Sequence, residues 1–184
     1  MRIDTPTLIP AGTWNVDPSH SKLGFALKHM GFATVRGEFA EFEGAIEVGE
    51  DLSSAKVYGV AKVASIDTSD DKRDGHLRSP DFFDVEQHPE MTFTSTRIEH
   101  AGDAELHITG DLTLRGVTKQ ITLIATVLGS DEDPWGGERL GVEVVGELSR
   151  GDYGMTFNQV LGSGNMLVAD KVRLALDIEA VKQS

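Results

Sequence analysis

Six histidines, His20, His29, His76, His88, His100 and His107, are the side chains here best suited to hold a metal or move a proton. Their spacing builds neither device. No His-x-His or His-Glu-x-x-His pair occurs, and no cysteine or clustered carboxylate stands at ligand spacing to complete a coordination sphere. A haem ligated by one of them would lack any Cys-x-x-Cys-His attachment signature. The serines lie in Pro-Ser-His-Ser, Leu-Arg-Ser-Pro and Gly-Ser-Gly-Asn contexts, and the last, at residues 162–165, mimics only half of a nucleophile elbow. Carboxylates are plentiful, but they alternate with apolar residues as solvated groups do, and no pair is set apart for acid–base work. Walker and Rossmann glycine patterns are missing as well. The residues thus predict a protein that is not an enzyme and uses no metal and no cofactor.

Apolar side chains are distributed less evenly than these polar ones. The eight phenylalanines are Phe25, Phe32, Phe39, Phe42, Phe82, Phe83, Phe93 and Phe157, and seven of them precede Glu99. Residues 150–165, RGDYGMTFNQVLGSGN, interleave Gly151, Gly154, Gly162 and Gly164 with Tyr153, Met155, Phe157, Val160 and Leu161. A long segment of that composition needs cover. It is expected either to plug one end of the fold or to act as a glycine-hinged lid over a cavity mouth.

The elements that must position these residues are strands. Over residues 104–115, Ala104, Leu106, Ile108, Gly110, Leu112 and Leu114 alternate with Glu105, His107, Thr109, Asp111, Thr113 and Arg115, a period of two with one wet face. After a turn at Gly116, Val117, Ile121, Leu123, Ala125 and Val127 continue the pattern, so the pair reads as a β-hairpin. Leu140, Val142, Val144 and Leu148 form a further apolar face, and Val172, Leu174, Leu176 and Ile178 the last. In the first half, strands are expected near residues 12–17, 21–28, 36–48, 55–68 and 91–99, with Gly37, Gly44 and Gly59 marking bends or close approach. One short helix follows, capped by Thr68 or Ser69, with Asp70 and Asp71 at its N-terminal end, His76 and Arg78 at its C-terminal end, and Pro80 beyond. The acidic stretch 130–138, SDEDPWGGE, is expected to be a solvated loop. Periodicity alone fits either a closed barrel or a two-sheet sandwich. About eight strands with glycine-marked bends favour the barrel, whose interior at that size accommodates side chains or one ligand.

At 184 residues without an internal composition shift, the chain is expected to be one domain over residues 1–184, with residues 1–10 as an N-terminal extension. A net charge of −13 disfavours nucleic acid and anionic surfaces, and the densest basic group, Lys72, Arg73 and Arg78, sits among Asp70, Asp71, Asp74 and Asp81. The absence of cysteine excludes disulfides and thiolate chemistry without fixing a redox compartment. The first residues, MRIDTPTLIPAGTW, lack the apolar run of a secretory signal, so a cytoplasmic location is expected for the chain as written, export remaining open only if a longer chain precedes it.

Two stretches carry a family resemblance: DPSHSKLGFALKHMGFATVRGEFAEFEGAI at 17–46 and ASIDTSDDKRDGHLRSPDFFDVEQHPEMTFTST at 64–96. LTLRGVTKQITL at 112–123 and RGDYGMTFN at 150–158 extend it into the second half. Together, and in this order, they resemble the YceI family. That resemblance implies an all-β, antiparallel, roughly eight-stranded lipocalin-like barrel with one short helical insert. It further implies that the interior binds, stores or transports a polyisoprenoid or other long lipid, with no redox cofactor and no known catalytic residue. The expected partner is therefore that long-chain molecule and not nucleic acid; a homodimer stays open. On the apolar strand faces, the tunnel walls are expected to include Phe25, Phe39, Phe42, Phe93, Leu106, Ile108, Ile121, Leu123, Val142, Val144, Leu174 and Leu176, with Phe157 from the loop. A polar head would stay near the mouth, where His20, Arg73, His76 or Arg78 could meet an anionic group. Two rival readings are an enzyme acting on a hydrophobic substrate in the same cavity, which needs a polar side chain pointing inward, and a solid-core structural or interaction protein, which needs no cavity.

Overall fold

The computed structural model describes residues 9–184. Eleven strands, β1 (Gly12–Val16), β2 (Lys22–His29), β3 (Ala33–Phe39), β4 (Phe42–Val48), β5 (Lys56–Lys62), β6 (Ile66–Asp67), β7 (Glu90–His100), β8 (Glu105–Leu114), β9 (Val117–Glu132), β10 (Glu138–Ser149) and β11 (Lys171–Lys182), form one antiparallel sheet. Three pairs are halves of one kinked strand. Trp14 of β1 faces Ile46 of β4 while Leu23 of β2 faces Phe39 of β3, and Phe42 of β4 faces Ala61 of β5 while Phe39 of β3 faces Ile66 of β6. Read as β1/β2, β3/β4 and β5/β6, they and the five straight strands make an eight-stranded barrel in which each strand pairs with the next in sequence. β11 closes the barrel, pairing with β1 through Ala180–Lys182 and with β2 through Arg173–Asp177. The rows expected as single strands at 36–48 and 55–68 are these kinked ones, the first beginning at Ala33 and interrupted at Ala40 and Glu41.

Polar side chains hold the kinks. Ser65 Oγ donates to the Lys62 carbonyl and accepts from the Glu41 amide, so the second and third kinks share one staple. At the first, Asp17 accepts from the Ser19 amide, and Ser21 Oγ exchanges hydrogen bonds with the backbone of Glu179. The β8–β9 turn is two residues, Arg115 and Gly116, with φ of 53° and 72°, the paired positive angles that match strand twist in a tight hairpin. The expected loop at 130–138 is shorter than its composition suggests. β9 runs to Glu132, and Asp133 organises the turn by accepting from the amides of Trp135 and Gly137.

The helix α1 (Asp71–Arg78) follows β6, and its N-cap is Asp70, which accepts from the Arg73 amide, in place of the expected Thr68 or Ser69. Thr68 is buried instead: its amide and hydroxyl both donate to Asp74, a buried carboxylate on the first turn of α1. One end of the barrel is solid, filled by Ile9, Trp14, Leu106, Leu140 and Ala180, and the Trp14 indole donates to the Pro10 carbonyl at 2.9 Å. Ile9 and Pro10 thereby belong to the packed fold, whereas the rest of the expected N-terminal extension, residues 1–8, lies outside the described residues. The opposite end carries α1, the β2–β3 turn and the long segment between β10 and β11.

Candidate functional site

Between these ends the barrel is hollow, with a cavity of about 520 Å³, within the ~300–1,000 Å³ usual for ligand sites. Along β11 the wall runs from Val172 through Leu174 and Leu176 to Ile178, which at ~3.3 Å per residue is roughly 20 Å of strand. Period-two alternation brings Ile108, Leu112 and Leu114 of β8, Ile121 and Leu123 of β9, and Val142, Val144 and Leu148 of β10 to the same interior.

Glycines make the hollow. Inward Gly37 pairs with Phe25 across β2 and β3, and a Cβ on it would stand 2.5 Å from Phe25 Cζ. A Cβ on Gly110 would meet Phe93 Cζ at 2.5 Å, and one on Gly146 would meet Leu123 Cδ2 at 2.6 Å. Each missing side chain is replaced by a large neighbour lying along the wall, so the wall stays apolar without filling the lumen. Gly44 and Gly59 face each other in β4 and β5. Their strand neighbours Glu43, Ala45, Tyr58 and Val60 belong to the lining there as well. Phe39 packs at 5.7 Å from both Phe25 and Phe83, extending an aromatic wall toward the open end.

That end is rimmed by side chains of a different kind. His76, Phe82 and Phe157 form a three-ring cluster with centroid distances of 4.8 to 5.4 Å, and His76 Nε2 lies 2.8 Å from Asp81. Arg73 Nε donates to Thr68 Oγ1 and its Nη2 to the Thr68 carbonyl, which fixes the guanidinium at the rim. Lys28, His29 and Gln159 complete the polar edge. Arg150 is buried, and its guanidinium donates to the carbonyls of Met155, Val168 and Ala169 beneath the Phe82 ring, 5.9 Å away. Burial pushes its pKa down, partly offset by the charge of Asp170, but a guanidinium stays ionised. Lys28, Arg73 and Arg150 thus bring three cations to this end of a strongly acidic protein, with Asp74 sharing Thr68 with Arg73, Asp81 against His76 and Asp170 near Arg150.

The lining contains Phe25, Phe39, Phe42, Phe93, Ile108, Ile121, Leu123, Val142, Val144, Phe157, Leu174 and Leu176, and the rim contains Arg73 and His76. Three residues expected at the site stand elsewhere. Leu106 shares the inward face of β8 but lies beyond the cavity floor, in the solid core beside Trp14. His20 is exposed on the outer side of the solid end, where its Nδ1 lies 2.8 Å from Asp17, and Arg139 joins Asp17, Asp133 and Glu179 in the same cluster. Arg78 is spent on structure, donating to the carbonyls of Ala64 and Ile66. Conversely, Lys28, His29, Phe82, Phe83, Arg150, Met155, Leu167 and Val168 line the cavity although they are not among the expected wall and mouth residues. All but Leu167 and Val168 lie within the stretches that carry the family resemblance, and Met155 lies in the segment expected to plug or cover one end. Among the described residues no three His, Asp or Glu side chains are grouped as metal ligands. A cavity of this size does not fit the solid-core reading.

The YceI-like domain family profile matches residues 14–180. The chain is 40% identical over 165 residues to Protein YceI of Salmonella arizonae and of Salmonella paratyphi B, covering 89% of this chain and 83% of each relative. Among solved structures, Burkholderia cenocepacia BcnA superposes with a TM-score of 0.78 at 22% identity, over 89% of this chain and 98% of that one. The Campylobacter jejuni YceI protein gives 0.73 at 29% identity, over 86% and 91%. A polyisoprenoid binding domain from Saccharophagus degradans, implicated in plant cell wall breakdown, gives 0.71 at 16% identity, over 92% and 98%. With the profile spanning nearly every strand of the barrel and relatives this similar over most of their length, the chain belongs to the YceI family.

Proposed function

We propose that this protein binds one long-chain apolar molecule, a polyisoprenoid or similar lipid, in the barrel and carries it without chemical change. The observation behind this reading is the cavity's shape and lining: one elongated space, closed by Trp14 and its neighbours at one end and edged with polar groups at the other. Burying methylenes contributes ~0.8 kcal/mol each, so a chain of a dozen carbons offsets a large association entropy without a single directed hydrogen bond. The likeness to a polyisoprenoid binding domain supports the reading at the level of fold. A polar head would lie at the rim, where Lys28, Arg73 and His76 favour an anionic or strongly hydrogen-bonding group, while Arg150, held by three backbone carbonyls, adds its charge from beneath. The alternative, an enzyme acting on a hydrophobic substrate in the same cavity, would need a polar side chain directed into it. The strand residues Ile108, Leu123, Val144 and Leu174 of the lining are apolar, and Thr68, Arg73, His76, Arg150 and Gln159 are among its polar members.

Native mass spectrometry after gentle purification tests this directly. The 19.9 kDa chain is expected to carry a single adduct with the mass of an isoprenoid or long-chain lipid. Protein that stays at its bare mass, even after incubation with a lipid extract, would refute the carrier reading.

A further inference from the structure

We propose that the two hairpin tips beside the tunnel mouth form a docking face for the neutral surface of a lipid bilayer. The β2–β3 turn and the segment between β10 and β11 lie edge to edge. The Met30 amide donates to the Leu167 carbonyl at 2.9 Å, the Ala169 amide to the Lys28 carbonyl, and His29 bridges to Val168. Beyond this seam both tips turn outward. Met30 and Gly31 reverse the first with φ of 54° and 76°. The second is a small hairpin in which Val160 pairs with Met166, Leu161 accepts from Gly164 and the Asn158 side chain braces Val168 in both directions.

The side chains presented by these tips are Phe32, Val160 and Met166, exposed by 77%, 67% and 51%. No Asp, Glu, Lys or Arg occurs in residues 29–35 or 156–169, in a chain where such residues make up 26%, and the charge that reaches the first tip is a cation, Lys28, whose Nζ donates to the Phe32 carbonyl at 3.2 Å. Depletion of charge around exposed large apolar groups is the mark of an interaction surface. Of the other exposed aromatics, Tyr58 stands on β5 between Lys56 and Lys62, and Trp135 sits on the far end of the barrel among Asp131, Glu132 and Asp133, a setting that suits no apolar partner.

The choice of a bilayer over a protein rests on two observations. First, the patch adjoins the cavity, since Lys28, His29, Leu167 and Val168 belong both to the seam and to the lining, and Gln159 both to the second tip and to the lining. A chain too apolar to cross water enters or leaves most easily where the mouth meets hydrocarbon. Second, in a chain of net charge −13, segments without a carboxylate, as both tips are, meet lipid with the least electrostatic penalty. Three inserted side chains give weak, reversible adhesion, which suits a carrier that must leave again. What passes through the face rests on the carrier reading; the adhesion itself does not.

Flotation of the ligand-free full chain with phosphatidylcholine vesicles tests the proposal. The protein is expected to float with the vesicles equally at low and at molar salt, and Phe32→Ser, Val160→Ser and Met166→Ser each to weaken partition by up to about tenfold. Vesicles rich in phosphatidylglycerol should bind less at low salt and recover as salt screens the repulsion. The three positions lie outside the core, so unchanged melting of the variants separates lost adhesion from lost folding. Absence of flotation, flotation unaffected by all three substitutions, or adhesion that needs anionic lipid and vanishes with salt would overturn the docking face. Flotation by a protein that never retains a lipid in native mass spectrometry would keep the docking face and sink the carrier reading, so the two fail separately.

Discussion

Gly37 and Phe25 share one position in the barrel wall. The ring occupies the space a side chain on Gly37 would need, and Thr68 Cγ2 bounds that space from the other side at 2.8 Å from the hypothetical Cβ. Thr68 cannot retreat, because Asp74 and Arg73 hold its hydroxyl. Gly37→Val must therefore drive Phe25 into the lumen. We expect a loss of about 1–3 kcal/mol in urea denaturation together with a reduced capacity for long ligands, whereas a wall glycine without this role would lose stability alone. Charged residues outside the site set the acid limit. Hydrogen bonds from His20, Ser19 and Arg139 hold the Asp17 carboxyl well below its usual value of 3.8, and Arg139 and Ser149 do the same for Asp133 and Asp170 respectively. Because these folded-state values are depressed, their stabilisation is complete above the ordinary carboxylate range and is lost as pH falls through the lower folded values. The urea midpoint should thus drop as pH is taken below about 4, and Asp17→Asn should flatten that dependence; an equally steep decline in the variant would assign the acid limit to other carboxylates.

At the scale of elements, the segment between β10 and β11 resolves into two parts with different duties. Residues 150–157 are a plug: Tyr153 and Met155 are buried with Leu112 and Leu114, while Arg150 ties the Met155 carbonyl to those of Val168 and Ala169. Residues 159–167 are a hairpin that projects past the rim. Hydrogen exchange should therefore be slow at Tyr153 and Met155 with or without ligand, and should slow on ligand binding only around Phe157 and residues 159–167. A uniform response across the whole segment would mean that it moves as a single lid. Where the sequence is legible, periodicity makes it so. Strict alternation in β8, β9, β10 and β11 marks Ile108, Leu123, Val144 and Leu174 as inward, because a sheet face is written into every second residue. The same rule includes Leu106, since alternation says which face a side chain is on but not how far along the barrel the hollow extends. Arg150 and Phe82 lie on segments with no period, and their places follow from contacts between parts distant in sequence, while Lys28 ends an expected strand whose alternation does not say that its end reaches the cavity edge. For the cations, residue type alone is an unreliable guide: Arg73 and Arg78 each donate twice to the protein, yet only Arg73, held on Thr68, reaches the cavity edge, while Arg78 is turned to the carbonyls of Ala64 and Ile66.

The whole barrel is asymmetric along its axis, and that asymmetry decides how it should respond to a ligand. At one end Trp14, Leu140 and Ala180 are fully buried, and the ladder from β10 to β11 that seats Leu140 against Ala180 makes a floor that a chain cannot pass. One register step further in, Val142 faces Ile178 and the lumen begins. The walls above the floor surround unfilled space and forgo the dispersion contacts of a packed core, so the empty protein is less stable than its strand count alone would allow. A bound chain supplies those contacts, and binding to the folded state alone raises stability by RT ln(1 + [L]/Kd), about 2.7 kcal/mol at a hundredfold excess over Kd. Lengthening an unbranched ligand should tighten binding about fourfold per methylene while the added carbon still enters the tunnel. Once the tail reaches the floor at Val142 and Ile178, further carbons must stay outside among the rim residues and the gain per carbon should fall away. Calorimetric titration of a homologous series of fatty alcohols would show this as a steep rise followed by a plateau, with the melting temperature at saturating ligand following the same curve. An affinity that climbs without limit would mean that the chain lies along the outer surface, and one indifferent to length would mean that only the head group is held.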